Sequence, residues 1–142
     1  MTIARVIEGR SPEIIQCTPH DSVRMATSLM SERRIGALPV VEGNTVAGIF
    51  SERDLLHSVA REGDIVLHRP VSEVMTTPAI TIEPSVTVLS TLSLMTARRI
   101  RHLPVVEGDR MIAFISIGDL VKYRIEQVEA EAEQMRDYIS MA

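Results

Sequence analysis

The chain contains an internal repeat. Residues 6–55 align without a gap on residues 71–120, at an offset of 65, and 20 of the 50 aligned pairs are identical. One stretch, Leu38 to Gly43, recurs letter for letter as Leu103 to Gly108. Chance would give only a few identities, so the chain consists of two copies of one supersecondary unit and a tail. Because each copy is too small to bury its own hydrophobic face, the two should pack as one domain.

The apolar periodicity changes in the same order within each copy. A short apolar strand comes first, at Ile14-Ile15 and at 79–82, and an amphipathic helix follows, with N-cap candidates at Asp21-Ser22 and Ser85. A hairpin and a second helix complete each unit. The four hairpin strands are predicted at 38–41, 46–50, 103–106 and 111–115, and the second helices near Ser51 and Ser116. Each unit is therefore β-α-β-β-α, and the fold class is α+β.

The repeat also divides the chain into segments. We predict the first repeat at residues 6–61 and the second at 71–124. Residues 62–70 are polar, contain Gly63 and Pro70, and form the connection between them. A C-terminal helical tail occupies residues 125–142.

Composition narrows the partners that such a chain can have. With 15 Lys+Arg against 19 Asp+Glu, no uniform positive field exists to hold a nucleic-acid backbone or an anionic membrane. Aromatic residues make up only 3% of the chain, so no base-stacking platform can form. The chain also lacks a signal-peptide pattern and an apolar run long enough to span a bilayer. We expect a cytoplasmic protein that binds neither nucleic acid nor membranes.

The order strand, helix, Leu-Pro-Val-Val strand, turn and then the segment Gly48-Ile49-Phe50-Ser51-Glu52-Arg53-Asp54 resembles a cystathionine-β-synthase (CBS) domain. Two such units in tandem resemble the CBS pair, or Bateman module, and the chain is similar to a small stand-alone CBS-domain protein. The resemblance covers Val6 to Tyr123 and occurs in register in both copies. It implies a pseudo-twofold module that senses adenosine-containing ligands in clefts between the repeats and is not itself an enzyme.

The residues of the Gly48–Asp54 segment also suit a nucleotide without the family name. Gly48 permits close backbone approach, and Ser51 places a hydroxyl and free N–H groups at a helix start, which attracts phosphate. Asp54, one turn later, can accept hydrogen bonds from both ribose hydroxyls. The alternative is that Ser51 is only an N-cap and that Asp54 only complements the helix dipole.

The resemblance implies two ligand sites, each with the ribose-binding Asp from one repeat and the adenine wall from the other. One site would comprise Ser51, Arg53, Asp54, Thr76, Ile80, Ile100, Arg101 and His102. The other would comprise Ser116, Asp119, Ile15, Ile35, Gly36 and Ala37. The second site departs from the pattern, because Ala113 replaces the glycine and Gly36-Ala37 stands where the first has Arg101-His102. We therefore expect phosphate binding at the first site, where Arg53, Arg101 and His102 supply donors for phosphate oxygens. The second site would still fit a dephosphorylated or more weakly bound ligand.

The sequence contains no recognisable catalytic motif. The chain has no glycine-rich phosphate loop or nucleophile elbow, and its histidines lack the spacing of metal ligands. We expect a ligand rather than a catalytic cofactor: AMP foremost, with ADP, ATP or NAD(H) as other adenine nucleotides. A protein-interaction module with empty clefts and an unrecognised nucleotide-processing enzyme remain as alternatives.

The tail carries a heptad-like apolar stripe. Its apolar residues recur at spacings of 4, 3, 4, 3 and 4, at Val121, Ile125, Val128, Ala132, Met135 and Ile139. Since an exposed stripe of this length is a solubility liability, we expect a homodimer. The alternative is a helix that packs along its own module. An unknown effector protein would carry the regulatory output.

Overall fold

The computed structural model describes residues 1–141 and has mixed α+β architecture, as predicted. Its helices are α1 (Ile3–Ile7), α2 (Val23–Arg33), α3 (Glu52–Glu62), α4 (Val88–Arg98) and α5 (Ile117–Met141), and its strands are β1 (Ala37–Glu42), β2 (Thr45–Ser51), β3 (His102–Glu107) and β4 (Arg110–Ser116). Two short 3-10 turns lie between α3 and α4: Asp64–His68 in the connection and Val71–Glu73 at the start of the second repeat. The predicted hairpins and the helices beside them are thus confirmed, with strand ends extended by one residue each.

The first helix of each repeat starts at a hydroxyl cap. The Ser22 hydroxyl accepts a hydrogen bond from the Met25 N–H, as the sequence predicts. In the second repeat the cap is Thr87, which accepts from the Ser90 N–H, so the prediction of Ser85 is wrong. Thr87 is the residue that the 65-residue offset pairs with Ser22, and the helix begins only after it.

The predicted first strands do not form as regular strands. In the first repeat one parallel bridge forms two residues after the predicted Ile14-Ile15, between Cys17 and β1; in the second, the strand predicted at 79–82 is reduced to one parallel bridge between Ile82 and β3. The N–H groups of Cys17 and Ile82 donate to the carbonyls of Pro39 and Pro104, which have no N–H of their own to extend the ladder. Prolines also follow two residues after each bridge, which stops further pairing.

Each repeat has its own hydrophobic core, and each core includes one buried residue from outside that repeat. Ile3 of α1 is fully buried among the core residues of the second repeat. Val71 is fully buried in the core of the first. Backbone hydrogen bonds hold both exchanges in place, because the Ile3 N–H donates to the Val86 carbonyl and the Val71 N–H to the Asp21 carbonyl. This exchange joins the two repeats into one unit.

The second helix of repeat 2 and the predicted tail are one continuous helix, α5, of 25 residues. Its first turns pack on the core through Leu120, which is fully buried. Tyr123 and Gln127 contact Met1, so the N-terminus lies against the middle of this helix.

Gly48 lies where the chain approaches itself. A Cβ added there would come within 2.7 Å of the Met75 sulfur and 2.8 Å of the Thr76 carbonyl oxygen. The reason is that Thr76 docks on the edge of β2, where it exchanges two backbone hydrogen bonds with Ile49. The sequence argument assigned this glycine to the approach of a ligand, whereas its contacts are with residues 75–76.

We expect Gly48→Ala to lower the free energy of unfolding by about 1–3 kcal/mol, because the new methyl group overlaps backbone that cannot move without breaking the Thr76 pairing. Urea denaturation measures this change.

The matched control is Gly118→Ala in the first turn of α5, where the nearest atom to the new Cβ is the Ser116 hydroxyl at 3.5 Å. That change is neutral or stabilising, since alanine favours helix. Equal effects of the two substitutions would contradict the close-approach role of Gly48.

Candidate functional site

Two clefts lie between the repeats. The first, cleft 1, has a volume of about 260 Å³ and opens between the β2–α3 junction of repeat 1 and the loops beside β3 of repeat 2. The structure brings all eight residues predicted for the first site to its walls: Ser51, Arg53, Asp54, Thr76, Ile80, Ile100, Arg101 and His102. Residues that are 51 positions apart in the chain thus share one cleft.

Asp54 belongs both to the cap of α3 and to the cleft wall. Its Oδ2 accepts the Ser51 N–H at 2.8 Å and the Ser51 hydroxyl at 3.0 Å, while its own N–H donates to the Ser51 Oγ at 3.3 Å. This capping box agrees with the alternative interpretation of Ser51 as an N-cap. It also fixes the carboxylate so that Oδ1 faces Thr76, whose hydroxyl donates to it at 2.8 Å. Oδ1 retains a second lone pair that a ligand hydroxyl can use.

Cleft 1 is rich in arginine. Arg53, Arg99 and Arg101 line it, together with the carboxylates of Glu52 and Asp54. Within residues 1–141 none of the three arginines forms an ion pair with a carboxylate. Their guanidinium groups are therefore available to an anionic ligand.

Arg99 also lines cleft 1, although it is not among the predicted site residues; its place after α4 favours a cation that complements the helix dipole over a phosphate ligand. It is the C-cap of α4 and adopts a left-handed conformation with φ of 54°. Arg34 has the same φ in repeat 1 but lines neither cleft. Only the packing between the repeats distinguishes these two arginines.

Aliphatic residues form the rest of cleft 1. Ile49, Pro78 and Ala79 join the predicted Ile80 and Ile100 on its walls. Ligand clefts are commonly lined by apolar side chains, and an aliphatic wall can pack against the face of a heterocyclic ring. The cleft thus combines an apolar wall, one oriented carboxylate and several unpaired cations.

The second cleft, cleft 2, has a volume of about 490 Å³. Five of the six residues predicted for the second site line it: Ile15, Ile35, Ala37, Ser116 and Asp119. The prediction of Gly36 is wrong in geometry, because Gly36 lies on cleft 1. The cause is local: the Gly36 carbonyl accepts the Glu52 N–H at the start of α3, which holds it on that side. Ala37 borders both clefts.

Arg10 is the main cleft residue that sequence reasoning overlooked. It lines cleft 2, and its guanidinium lies 3.2 Å from Oδ1 of Asp119. The cleft therefore contains a side-chain cation, although Gly36-Ala37 supplies none. The offset of 65 pairs Ser11 with Thr76, a predicted residue of the first site. The repeat therefore indicates that Ser11, next to Arg10, lies at the second site.

His102 separates the two clefts and contributes to both walls. Its ring stacks on Phe114 with the centroids 5.6 Å apart and the planes 12° from parallel. Burial lowers the pKa of His102 below its ordinary value of 6.5, and the neighbouring Arg101 lowers it further, while Asp119 and Glu52 act in the opposite direction. The imidazole is thus neutral at pH 7.

Other chemistry is not assembled in the described part of the chain. Within residues 1–141 no group of three or more His, Cys, Asp or Glu side chains could hold a metal ion, and no helix is long and apolar enough to cross a membrane. Cys17 is buried, and burial together with Asp21 raises the pKa of its thiol to about 12. It is therefore a packing residue rather than a nucleophile at neutral pH.

The lowered pKa of His102 predicts a pH-dependent stability. The unfolded chain takes up the proton first, so the stability present above pH 6.5 is lost as pH falls through the lower folded-state pKa. We expect the unfolding free energy to fall more steeply between pH 7.5 and 5 in the wild type than in His102→Gln, in urea titrations at each pH.

The control is His57→Gln, because His57 is an exposed histidine on α3. It should leave the pH dependence of the wild type unchanged. If His102→Gln has the same pH slope as the wild type, the buried imidazole is not the group that couples pH to folding.

Comparison with known proteins agrees with this architecture. The CBS domain model matches the chain twice, over residues 7–61 and 71–126. The structure of a protein with CBS domains from Burkholderia ambifaria MC40-6 is 40% identical, covers 89% of this chain and 95% of that one, and has a TM-score of 0.82. CBSX2, solved in complex with AMP, is similar in fold, with a TM-score of 0.75 at 23% identity over 88% of this chain and 96% of its own.

The CBS domain-containing protein CBSX3, mitochondrial, of Arabidopsis thaliana is 37% identical over 128 residues. The matched region covers 87% of this chain and 62% of that relative. The two repeats, their order and their fold all match, so the chain belongs to the CBS-domain family as a tandem pair.

Proposed function

We propose that the protein is a regulatory module that binds an adenine nucleotide in cleft 1, with AMP as the foremost candidate among AMP, ADP, ATP and NAD(H). The observation that carries the proposal is that one oriented carboxylate, Asp54, lies across an aliphatic gap from three arginines that have no carboxylate partner within residues 1–141. A nucleotide offers the complementary set: hydroxyls, phosphate and a flat base.

Each chemical part of the ligand has a matching group in cleft 1. The ribose hydroxyls would donate to Oδ1 of Asp54, in addition to or in place of the Thr76 hydroxyl. Phosphate oxygens would accept from Arg53, Arg99 and Arg101, because planar guanidinium groups bind phosphate in bidentate geometry. The base would lie on the aliphatic wall, and a neutral His102 can act there as donor or acceptor without adding charge.

The choice of AMP has two supports. CBSX2, which is similar in fold, was solved in complex with AMP. Cleft 1 is also the smaller of the two clefts, which favours a compact nucleotide.

We propose regulation rather than catalysis, with no catalytic cofactor. Asp54 and Asp119 lie in different clefts and so cannot act as one acid/base pair. Incubation with nucleotides and product analysis distinguishes a nucleotide-processing enzyme. Ligand retained on purification distinguishes a module with empty clefts.

The proposal includes a homodimer formed through α5. Five apolar side chains of the predicted stripe are exposed, with fractional exposures between 45% and 66%: Val121, Ile125, Val128, Met135 and Ile139. Their heptad spacing suits a second helix of the same kind, and a twofold pair is the commonest closed arrangement. We further propose that a separate effector protein, in the cytoplasm, reads the bound state.

Binding in cleft 1 predicts both stabilisation and a mutational order. AMP at 100 times Kd should raise the unfolding free energy by about 2.7 kcal/mol. Asp54→Ala should weaken AMP binding more than Asp119→Ala, because three arginines accompany only Asp54. Calorimetric titration and thermal melts measure both effects.

The two substitutions are matched controls, since each removes the carboxylate of an equivalent helix cap. The reverse order would assign the stronger site to cleft 2. A melt unchanged by millimolar AMP, ADP, ATP and NAD(H), on protein shown to be free of ligand, would overturn nucleotide binding altogether.

Removal of Glu126–Ala142 tests the dimer. We expect the shortened chain to dissociate at concentrations where the full chain remains dimeric, because it loses most of the exposed apolar stripe. Light scattering across a dilution series measures the mass. The control is Glu129→Ala with Glu133→Ala, which alters exposed acids between the stripe residues; equal dimerisation of the shortened and full chains would rule out α5 as the association element.

A further inference from the structure

We infer that Arg10 is an internal competitor for the carboxylate of Asp119, so that cleft 2 binds a nucleoside more weakly until residues 8–13 move aside. The inference deepens the proposed function, on which it rests, by assigning a regulation to the second cleft. Under this inference the two clefts differ because Arg10, which precedes the β-hairpin of repeat 1, contacts Asp119 in cleft 2.

The contact occupies the one oxygen that a ligand would need. Oδ2 of Asp119 accepts the Ser116 N–H at 2.8 Å and is committed to the helix cap. Oδ1 is held by Arg10 at 3.2 Å. In cleft 1 the equivalent oxygen of Asp54 accepts a hydrogen bond from the neutral Thr76 hydroxyl, and no cation of the described part of the chain pairs with it. A ribose hydroxyl entering cleft 2 must therefore share Oδ1 with a charged donor, which binds that oxygen more strongly than a neutral hydroxyl does and opposes the approach of a second donor.

The position of Arg10 is set by α1. Ile3 anchors that helix in the core of repeat 2, the same repeat that supplies Asp119. After α1, Gly9 turns the chain with a positive φ of 78°, and the Arg10 N–H donates to the Ile7 carbonyl. The guanidinium is thereby placed at the mouth of cleft 2.

Within residues 1–141, the segment after Arg10 lacks the backbone hydrogen bonds that hold the equivalent segment of repeat 2, around Thr76, to a strand. Thr76 is fixed to β2 by two backbone hydrogen bonds with Ile49. Within the described residues, Ser11 makes no such pair with Phe114 on β4. Ala113 stands where repeat 1 has Gly48, and its methyl group takes the space that docking needs. Residues 8–13 are exposed and can move without breaking a strand pairing.

Charge predicts which ligand cleft 2 takes once Arg10 has moved. The remaining charged groups on its wall are Asp119 and Glu13, beside a neutral His102. Two carboxylates disfavour phosphate, so the cleft should take uncharged adenosine in preference to AMP. Adenosine is therefore the probe for the test. Because adenosine is uncharged, salt should affect its binding mainly by weakening the Arg10–Asp119 ion pair.

The experiment uses the full chain carrying Asp54→Ala, so that adenosine titration by calorimetry reports cleft 2. Adding Arg10→Ala should tighten adenosine binding about two- to fivefold, the range expected for a partly exposed ion pair. Raising KCl from about 0.05 to 0.5 M should tighten binding while Arg10 is present and have no effect once it is removed. The matched control is Arg5→Ala, which removes the same charge from an exposed side chain of α1 and should leave adenosine binding unchanged.

The inference is overturned if Arg10→Ala weakens adenosine binding, has no more effect than Arg5→Ala, or yields a chain that still binds no adenosine. A loss of AMP affinity with unchanged adenosine affinity would also overturn it, because Arg10 would then be a phosphate ligand. AMP titration of the wild type distinguishes failure of the Arg10 inference from failure of the proposed function. If the wild type binds AMP and the Arg10 result is negative, only the Arg10 inference is overturned. A wild type that binds no nucleotide overturns the proposed function itself.

Discussion

The exchange of core residues between the two repeats is the constraint on which the rest of the structure depends. Ile3 completes the core of repeat 2, and Val71 completes that of repeat 1, so each hairpin and its helices are closed by chain from outside their own repeat. The same crossings bring Thr76 to the edge of β2 and Arg10 to the mouth of cleft 2. The packing that gives each repeat a full core therefore also builds one wall of each cleft.

Helix capping and the proposed ligand recognition share one carboxylate, that of Asp54, through different oxygens. Asp54 stabilises the start of α3 through Ser51, and the hydrogen bonds of that cap hold the carboxylate in one orientation. The structure shows the cap, and the proposed ligand contact is compatible with it, because one carboxylate has two oxygens and the cap uses only one of them. A carboxylate held in this way loses little further entropy when a hydroxyl binds to it.

The sequence predicted what is local or repeated, and failed where a contact depends on the path of the chain between repeats. The hairpins, the cap at Ser22 and the group of residues around cleft 1 follow from periodicity, turn chemistry and the repeat with its family resemblance. Arg99 and Arg34 are alike in local sequence and conformation, and only packing between repeats puts one of them in a cleft. The bond from Arg10 to Asp119 joins residues 109 positions apart, and no local pattern indicates it.

Divergence at a few equivalent positions turns a nearly symmetric scaffold into two different clefts. Repeat 2 has Arg101 and His102 where repeat 1 has Gly36 and Ala37, which concentrates donors on cleft 1. His102 also borders cleft 2, where its ring stacks on Phe114. Burial lowers the pKa of this imidazole and so keeps it uncharged toward both clefts. Because the ring is a wall shared by both clefts, its charge and position in one cleft alter the electrostatics of the other.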